Sequence, residues 1–576
     1  VQVDLTKPTL GSLALRSGNL GVTDLDRPSH LLATTGDRMV LSFTTSERIA
    51  PPESGEIAPK VVFTNEAGAE LIEAAVSLQA GTTDGKQWQA EFTVPEETGA
   101  FADLETDLGF EIKVSDPSGN ERVLGFNHEG TSSEPSQATQ APVNTGRVDT
   151  RLPEVTEAKF NSSNAGTDPD HPSTLLSKGG DTLTLSFTTS ERIAAPGDAG
   201  LAPVVEFTAD PDGVVDSEDE RVFLANVSLV QSGEEESSGG TQWQAELQVD
   251  AQLGSLESDL GFSVTVFDPS GNKRVIRFDS GLAQLAAGDD PTASDDVKAR
   301  IDTTLPEVTE VAFTSSNSGD DPDHRSTLLA KDGDTLTLSF KTSERIASPD
   351  EDGLAPKVVF RGQDGEAVGT SVVGAQPSDA GGTLWQATLA VGGSLAGLET
   401  NLGFEVTVRD HSGNKRVVSF DPQLTPVAQG DEATNSDGVK ARIDTKLPEL
   451  SGLALVSSNL AARRVYGVAD AGRPTHLLAK SGDNLTLSFT TSERIAPPGE
   501  LLAPQVVFTD ESGAELIEAA VSLQADDANG MQWQAIFVVL EGAEAFADLE
   551  TDLGFEIKVS DHSGNERVLG FDHDGT

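Results

Sequence analysis

Acidic side chains recur in one arrangement four times along this chain of 576 residues. In each copy an Asp stands four residues before a Pro, a Glu follows within Thr-Ser-Glu-Arg-Ile-Ala, and a second Asp opens Asp-(Pro/His)-Ser-Gly-Asn. Three carboxylates gathered closely repel one another unless a cation lies between them. Their hard oxygen atoms suit Ca²⁺, which takes about six to eight such ligands. The candidate metal ligands are Asp4, Glu47, Asp116, Asp149, Glu191, Asp268, Asp302, Glu344, Asp410, Asp444, Glu493 and Asp561.

The elements that must position these carboxylates are β-strands. Apolar and small polar residues alternate over 183–187 and over 262–266. Glu191 and Asp268 each lie an even number of residues after the apolar positions, so they should face the same side as the apolar side chains. These two strands of a sandwich end at the pole where the first strand begins, so Asp149 should approach both. We predict a Ca²⁺ site at each junction between copies, completed by backbone carbonyls, the Asn of Ser-Gly-Asn and water. Alternatively, the Asp residues only begin turns and the Glu pairs with the following Arg.

The repeated phrases mark whole domains rather than short solenoid units. About seven alternating strands per copy, separated by Gly, Pro, Asn and Asp turns, predict an all-β fold. We expect four tandem immunoglobulin-like antiparallel β-sandwich domains in an extended array, with the Trp of each Trp-Gln-Ala triplet in the core. Acidic or Gly/Ser-rich tracts at 129–145, 232–240, 281–296 and 423–438 are predicted to be surface loops or insertions. The predicted domains are 1–148, 149–301, 302–443 and 444–576.

The balance of charge excludes one class of partner. The chain has 94 Asp and Glu residues against 39 Lys and Arg residues, a net charge of −55. Such a surface repels nucleic-acid phosphates and attracts cations. Cysteine is absent, so disulfides do not stabilise the domains. No stretch approaches the ~20 apolar residues of a membrane helix, so membrane insertion is not expected.

The phrases of one copy, taken in order, resemble a known family. They resemble the bacterial immunoglobulin-like tandem repeat (extender) domains of large secreted surface adhesins, and the resemblance covers essentially the whole chain. It implies an extracellular or cell-surface spacer between an anchor and a ligand-binding tip, and many related arrays bind calcium. The copies are longer than the ~100 residues of an ordinary immunoglobulin domain, which departs from the family pattern. In the third copy the phrases are Asp302–Pro306, Ser315–Asn317, Gly333–Glu344, Pro356–Phe360, Trp385–Ala387 and Asp410–Asn414.

Three functions remain open at this point. The first is a non-enzymatic structural spacer of a large adhesin, stiffened by Ca²⁺ at domain junctions. The second is a subunit or segment of an extracellular filament, sheath or surface layer assembled end to end, and the third is a carbohydrate- or protein-binding module. The chain has no Cys nucleophile, Gly-x-Ser-x-Gly elbow or phosphate-binding loop, so no enzymatic activity is expected. The expected partners are neighbouring copies of the repeat and, for the second function, the same chain head to tail.

The fourth copy is predicted to lack its last strand. The opening Val1–Asp4 matches Gly146–Asp149, Ala299–Asp302 and Ala441–Asp444, where this segment is predicted to be the final strand of the preceding domain. In one interpretation the sequence is one register of a longer array. In the other, the opening strand of one chain completes the fourth sandwich of the next chain by pairing with its open edge.

Overall fold

The computed structural model describes most of the chain. Parts of all four inserted tracts lie outside the described residues, as does Val1–Gln2 of the opening segment. None of the helical segments that are described has the length and apolarity needed to span a lipid bilayer. The described residues are 3–19, 27, 29–96, 99–134, 144–166, 171–193, 200–209, 220–230, 240–250, 253–283, 293–294, 296–319, 325–350, 353–376, 381–428, 434–459, 468–469, 476–525, 527, 529–540 and 550–574.

Two compact units make up the chain, Val1–Thr304 and Leu305–Thr576. Each unit contains two immunoglobulin-like β-sandwiches, and each sandwich has its own hydrophobic core. We call the sandwiches repeats 1 to 4 in chain order. The all-β, immunoglobulin-like fold predicted from the alternation is confirmed.

The first unit contains the following described strands. In repeat 1 they are β1 (Leu10–Ser17), β2 (His30–Ala33), β3 (Arg38–Thr45), β4 (Lys60–Thr64), β5 (Glu70–Leu78), β6 (Gln87–Thr93), β7 (Glu105–Ser115), β8 (Glu121–Phe126) and β9 (Thr145–Asp149), with 3-10 turns at Gly55–Ile57 and Gly99–Phe101. In repeat 2 they are β10 (Val155–Ser162), β11 (Thr174–Ser177), β12 (Thr182–Ile193), β13 (Val204–Ala209), β14 (Arg221–Leu224), β15 (Asn226–Leu229), β16 (Gly240–Gln248), β17 (Glu257–Phe267), β18 (Lys273–Phe278), β19 (Ala293–Ser294) and β20 (Lys298–Asp302).

The second unit repeats this order. The described strands of repeat 3 are β21 (Val308–Ser315), β22 (Thr327–Ala330), β23 (Thr335–Thr342), β24 (Lys357–Arg361), β25 (Ala367–Thr370), β26 (Val372–Ala375), β27 (Leu384–Ala390), β28 (Glu399–Arg409), β29 (Lys415–Phe420), β30 (Asn435–Ser436) and β31 (Lys440–Asp444), with a 3-10 turn at Gly393–Leu395. Those of repeat 4 are β32 (Leu450–Ser457), β33 (Val468–Ala469), β34 (Leu477–Leu478), β35 (Asn484–Thr491), β36 (Gln505–Thr509), β37 (Glu515–Glu518), β38 (Ala520–Leu523), β39 (Gln532–Val538), β40 (Gly554–Ser560) and β41 (Glu566–Phe571).

The two sheets of a repeat enclose its core. In repeat 2, β15, β16, β12, β10 and β19 form one sheet, and β11, β20, β17, β13 and β14 form the other, with β18 also paired to β17. Inward-facing residues alternate with outward-facing ones along these strands, as the period of two predicts. Trp243 and its counterparts Trp88, Trp385 and Trp533 lie buried in the four cores. Their predicted core position is therefore confirmed.

The last strand of a repeat has two kinds of neighbour. β9, β20 and β31 pair antiparallel with the start of the long strands β7, β17 and β28. On their other side they pair parallel with the short strands β2, β11 and β22. The strands are otherwise mostly antiparallel, as predicted, but the last strand requires this parallel partner as well. It lies between two strands and is therefore held on both sides.

Repeat 4 differs from the other three at this last-strand position. Within the described residues, no strand of repeat 4 corresponds to β9, β20 or β31. Its short strand, Leu477–Leu478, pairs antiparallel with Val468–Ala469 instead. The long strand β40 begins at Gly554, whereas its counterpart β7 begins at Glu105, four residues before the matching Gly109.

Candidate metal centre

The second Asp of each predicted set lies in a tight turn that holds its carboxylate. In repeat 2 this Asp268 follows β17, and Gly271 adopts a φ of 93° that closes the turn. The Asn272 backbone N–H donates to Asp268 Oδ1 at 2.9 Å, and Asn272 Nδ2 donates to Asp268 Oδ2 at 2.6 Å. Asn565 makes the same two bonds to Asp561 in repeat 4. The phrase Asp-x-Ser-Gly-Asn thus fixes the position of its own carboxylate.

The first Asp of the repeat 2 set belongs to repeat 1. Asp149 is the last residue of β9, which belongs to a sheet of repeat 1. The turn of repeat 2 contacts it directly, because Asn272 Nδ2 donates to the Asp149 carbonyl at 3.0 Å and Ser270 Oγ donates to Asp149 Oδ2 at 3.2 Å. One turn therefore joins the end of one repeat to the body of the next.

The same junction exists between repeats 3 and 4. Asp444 ends β31 of repeat 3, and its carbonyl accepts a hydrogen bond from Asn565 Nδ2 of repeat 4 at 2.8 Å. Ser563 Oγ donates to Asp444 Oδ2 at 3.4 Å. The arrangement is thus a property of the repeated phrases and not of one pair of repeats.

The Glu of each set stands two residues after a buried Thr. The hydroxyl of Thr189 donates to the Glu191 carbonyl at 2.7 Å, and Thr491 makes the equivalent bond to Glu493 at 2.6 Å. In both sets the Glu carboxylate lies close to those of the two Asp residues. The alternative interpretation requires an ion pair between Glu191 and Arg192. Within the described residues, the Glu191 carboxylate forms no such pair and accepts no hydrogen bond.

The structure brings the predicted carboxylates together at both junctions that lie within a unit. In each set, one ligand atom from every residue lies within 4.8 Å of the other two. The two Asp residues are buried and the Glu is half-buried. No His or Cys contributes to these groups, so all the donor atoms are hard carboxylate oxygens. The sets are Asp149/Glu191/Asp268 and Asp444/Glu493/Asp561.

Burial makes ionisation of these carboxylates unfavourable in the absence of a cation. Burial, followed by the charges of Asp268 and Asp149, raises the pKa of Glu191 to about 8. Burial, together with Asp149, raises the pKa of Asp268 to about 7, and burial raises that of Asp149 to about 6. The charge of Arg147, which forms ion pairs with Glu105 and Asp107, lowers the pKa of Asp149 by less than burial raises it.

The junction between repeats 3 and 4 shows the same electrostatics. Burial, followed by the charges of Asp561 and Asp444, raises the pKa of Glu493 to about 7. Burial raises the pKa of Asp561 to about 6, against the hydrogen bond from Asn565, and it also raises the pKa of Asp444. Both junctions therefore gather negative charge in a place that disfavours it.

The set at the start of repeat 1 is more open. Asp4 and Glu47 are half-buried, and Asp116 is buried within 4.8 Å of them. Burial opposes ionisation of Asp116, but hydrogen bonds led by that from the Asn120 side chain outweigh it and lower its pKa. Asn120 Nδ2 also donates to the Asp4 carbonyl at 3.1 Å, so the turn again contacts the first Asp.

The remaining predicted set is divided between the two units. In the first unit, Asp302 is the buried last residue of β20. In the second unit, Thr342 Oγ1 donates to the Glu344 carbonyl at 2.7 Å. Asp410 lies in its turn with the Asn414 backbone N–H at 2.9 Å from Oδ1, and burial raises its pKa.

The side chain of Asn272, a residue expected to help complete the metal shell, makes hydrogen bonds at both of its polar atoms. Its Nδ2 faces Asp268 and the Asp149 carbonyl, and a nitrogen that donates hydrogen bonds does not coordinate a cation. Its Oδ1 accepts a hydrogen bond from the Thr34 hydroxyl of repeat 1. Asn272 therefore positions Asp149 and Asp268.

Sequence reasoning missed a second contact across each junction. Asn19 Nδ2 of repeat 1 donates to the Ser270 carbonyl of repeat 2 at 2.8 Å. In the second unit, Asn317 Nδ2 of repeat 3 donates to the Ser563 carbonyl of repeat 4 at 2.9 Å. The signal was present in the repeated Ser-x-Asn phrase, whose Asn residues are these donors. The turn that holds the second Asp is thus contacted by the preceding repeat at two places.

Comparisons with known proteins give similarities of structure but not of sequence. Neither the protein-family models nor the curated protein sequences give a match. The chain is similar to a solved structure described as a tetra-tandem repeat in the extending region of a large adhesion protein, at 17% identity and a TM-score of 0.27, over 97% of this chain and 100% of that one. It is also similar to an ICAM-5 D1–D4 ectodomain fragment, at 11% identity and a TM-score of 0.26, over 97% of each chain. Cadherin domains 1–4 of protocadherin gamma B7 match at 9% identity and a TM-score of 0.23, over 94% of this chain and 98% of that one.

Proposed function

We propose that this chain is a non-enzymatic extracellular spacer segment of a large cell-surface adhesin, in which Ca²⁺ fixes repeat 2 to repeat 1 and repeat 4 to repeat 3. The observation that carries this proposal is the origin of the three carboxylates. Asp149 ends the last strand of repeat 1, whereas Glu191 and Asp268 belong to repeat 2. An ion bound among them would be held by both repeats at once.

The chemistry of the site suits Ca²⁺. Three carboxylates supply oxygen ligands only, and Ca²⁺ accepts irregular oxygen shells that include backbone carbonyls and water. Its double positive charge would offset the repulsion that raises the pKa values of Glu191 and Asp268. Extracellular calcium modules bind with dissociation constants of about 10⁻⁴ to 10⁻³ M, and three carboxylates in a half-open site fit that range.

Binding at the junction would make the repeats stiffer. The hydrogen bonds from Asn19, Ser270 and Asn272 already define one orientation of repeat 2 against repeat 1. Repulsion among the carboxylates works against that orientation when no cation is present. A ligand that binds only the ordered arrangement shifts the population toward it. Ca²⁺ is therefore the switch between a flexible and a stiff junction.

The rest of the surface supports a spacer rather than a binding module. A net charge of −55 spread over four repeats keeps neighbouring chains apart. The large aromatic side chains Trp88, Trp243, Trp385 and Trp533 are all buried, so they do not form a sugar-stacking platform. A spacer must keep the two ends of a protein apart. Repulsion between like-charged repeats and stiff junctions between them would both serve this purpose.

Small-angle X-ray scattering of the full chain tests the stiffening. We expect a longer maximum dimension and lower flexibility in Ca²⁺ than in chelator, with Mg²⁺ giving a smaller change because it demands closer and more regular ligands. The variant Glu191→Gln with Glu493→Gln should lose most of the response. Glu246→Gln, a change of the same kind on the exterior of a strand of repeat 2, should keep it. Identical scattering in Ca²⁺ and in chelator would refute Ca²⁺ stiffening.

Antibody labelling tests the cellular part of the proposal. Antibodies raised against this chain should label intact, unpermeabilised cells that produce the parent protein. Labelling should disappear after mild protease treatment of those cells. Labelling that requires permeabilisation would place the chain inside the cell and contradict the spacer role at the surface.

A further inference from the structure

One face of repeat 3 carries positive charge that no acidic side chain balances. It is the outer face of the sheet that contains β24, β28 and β29. Lys357 on β24, Arg409 on β28 and Lys415 on β29 lie on this face, because they alternate with buried residues along their strands. We call these three residues the cation cluster.

The register of the strands brings the cation cluster together. Arg409 pairs directly with Lys415, and Lys357 pairs with Thr407, two residues before Arg409. Like charges directly opposite each other on antiparallel strands destabilise a sheet. In the part of the chain that the structure describes, none of the three cationic side chains forms an ion pair or a hydrogen bond. The cluster therefore weakens the sheet instead of supporting it.

Repeats 1 and 4 balance the charge on the same face. In repeat 1, Glu121 occupies the position of Lys415 and pairs with Lys113 at 2.6 Å. In repeat 4, Glu566 occupies this position and pairs with Lys558 at 2.7 Å. The fold therefore does not require positive charge at this place.

The position of Arg409 also differs among the repeats. Its counterparts are Ser115 in repeat 1, Phe267 in repeat 2 and Ser560 in repeat 4. In repeat 2 the facing cation, Lys273, lies over the Phe267 ring with its Nζ 5.9 Å from the ring centre. Repeat 3 alone of the four places two cations opposite each other here.

Three cations without an acidic partner stand out in so acidic a chain. Asp and Glu outnumber Lys and Arg by 94 to 39, so a surface cation ordinarily has a carboxylate within reach. Glu405, the outward acid of β28 nearest to Arg409 along the strand, is already paired with Arg361 at 3.0 Å. We infer that the cation cluster binds an acidic glycan, a carbohydrate chain with carboxylate groups, and so gives repeat 3 a lateral attachment in addition to its role as a spacer.

The side chains around the cation cluster favour a glycan over a protein or a nucleic acid. A protein interface is centred on large apolar or aromatic anchors, but Val417 beside Lys415 is only 36% exposed. Single-stranded nucleic acids stack on aromatic side chains, and the outward positions of β24, β28 and β29 have none. The guanidinium of Arg409 can bind a sugar carboxylate through two parallel hydrogen bonds. The Thr407 hydroxyl lies between Lys357 and Val417, where it can bond to a sugar hydroxyl.

Glycan binding to the full chain tests the inference. The probe is a fluorescent oligogalacturonate, and the measurement is fluorescence anisotropy at low salt in chelator, so that Ca²⁺ cannot bridge two carboxylates. We expect saturable binding at one site per chain, with an affinity that falls as salt is added. A neutral galactose oligomer of the same length should not bind. A glutamate oligomer with the same number of carboxylates should bind more weakly than the oligogalacturonate.

A matched pair of double variants locates the site. Lys357→Gln with Lys415→Gln should weaken binding about three- to tenfold, the effect of losing two exposed ion pairs. Arg325→Gln with Lys341→Gln, which removes the same charge from other surfaces of repeat 3, should bind like the unaltered chain. The first double variant should also melt no lower than the unaltered chain, because it removes like-charge repulsion.

Four results would each overturn the inference. They are the absence of saturable binding, equal binding of the neutral oligomer, equal weakening by the two double variants, and tighter binding of the glutamate oligomer, which would indicate an acidic protein partner instead. Failure of the Ca²⁺ experiments would leave this result untouched, because the cation cluster contains none of the carboxylate ligands and the assay contains no free Ca²⁺.

Discussion

The substitution Glu191→Gln should have opposite effects on stability with and without Ca²⁺. This change removes a negative charge but breaks no hydrogen bond within the described residues, because only the Glu191 backbone carbonyl is bonded. Gln has nearly the same shape as Glu, so packing is preserved. The effect therefore reports the electrostatics of the carboxylate set.

The magnitude without metal follows from the raised pKa. The pKa of Glu191 is about 8 in the folded chain against an ordinary 4.5, so the folded state holds a proton that the unfolded state releases. Stability then falls as the pH rises from about 4.5 to about 8. One pH unit corresponds to about 1.4 kcal/mol, but the side chain is only half-buried and water screens it, so we expect about 1–2 kcal/mol. In chelator at pH 8, Glu191→Gln should stabilise repeat 2 by that amount.

Saturating Ca²⁺ should reverse the sign. At a hundred times its dissociation constant, a bound ligand stabilises the folded state by about 2.7 kcal/mol. The variant loses a ligand and with it most of this gain, so it should be about 1 kcal/mol less stable than the unaltered repeat. Glu246→Gln in the same repeat should change stability little in either condition.

Fluorine NMR of chains labelled with 5-fluorotryptophan resolves the repeats separately. The chain has 4 Trp residues, one in each core, so each repeat has its own signal. Thermal melts followed at the Trp243 signal give the stability of repeat 2, and a change of 1–2 kcal/mol moves its midpoint by several degrees, about 3–8 °C. Destabilisation by Glu191→Gln in chelator, or the same shift with and without Ca²⁺, would refute the electrostatic reasoning.

Other substitutions test the independence of the cores and the junction contacts. Trp385→Ala should cost about 3–5 kcal/mol and unfold repeat 3 while hydrogen exchange in the other repeats stays slow; loss of protection in all four would contradict separate cores. Asn317→Ala should cost about 0.5–1.5 kcal/mol and speed exchange in the turn around Ser563, an effect that should be absent in repeat 2. Gly319→Ala should disturb the same turn, because its Cβ would collide with the His562 carbonyl oxygen, and unchanged exchange there would rule out this contact.

Repetition made much of the junction predictable from sequence. Strand parity placed Glu191 and Asp268 at the ends of strands that share a pole, and the recurrence of both residues in every copy separated them from the many other carboxylates. The structure shows these two with Asp149 within 4.8 Å. The alternation of apolar and polar residues gives no information about the affinity of these carboxylates for a cation.

Contacts that do not follow the strand period were not predicted. The bond from Asn19 to the Ser270 carbonyl joins residues 251 positions apart through a side-chain amide, and periodicity carries no information about such partners. The orientation of Asn272 was also missed, since its type permits either donation or coordination. The parallel pairing of β2 with β9 was also not predicted. β2 has only four residues and lies far from β9 in the sequence, and so short a run of alternating residues does not indicate the register of a pairing.

Isothermal titration calorimetry of Ca²⁺ into the chelator-treated full chain measures whether the carboxylate sets bind the ion. The double variant Glu191→Gln with Glu493→Gln should bind two fewer ions per chain than the unaltered chain. The control with Glu246→Gln and Glu556→Gln, which removes the same two charges away from the junctions, should bind the full number. Equal stoichiometry in all three chains, or no binding heat up to about 10 mM Ca²⁺, beyond the range of extracellular calcium modules, would contradict calcium-linked junctions.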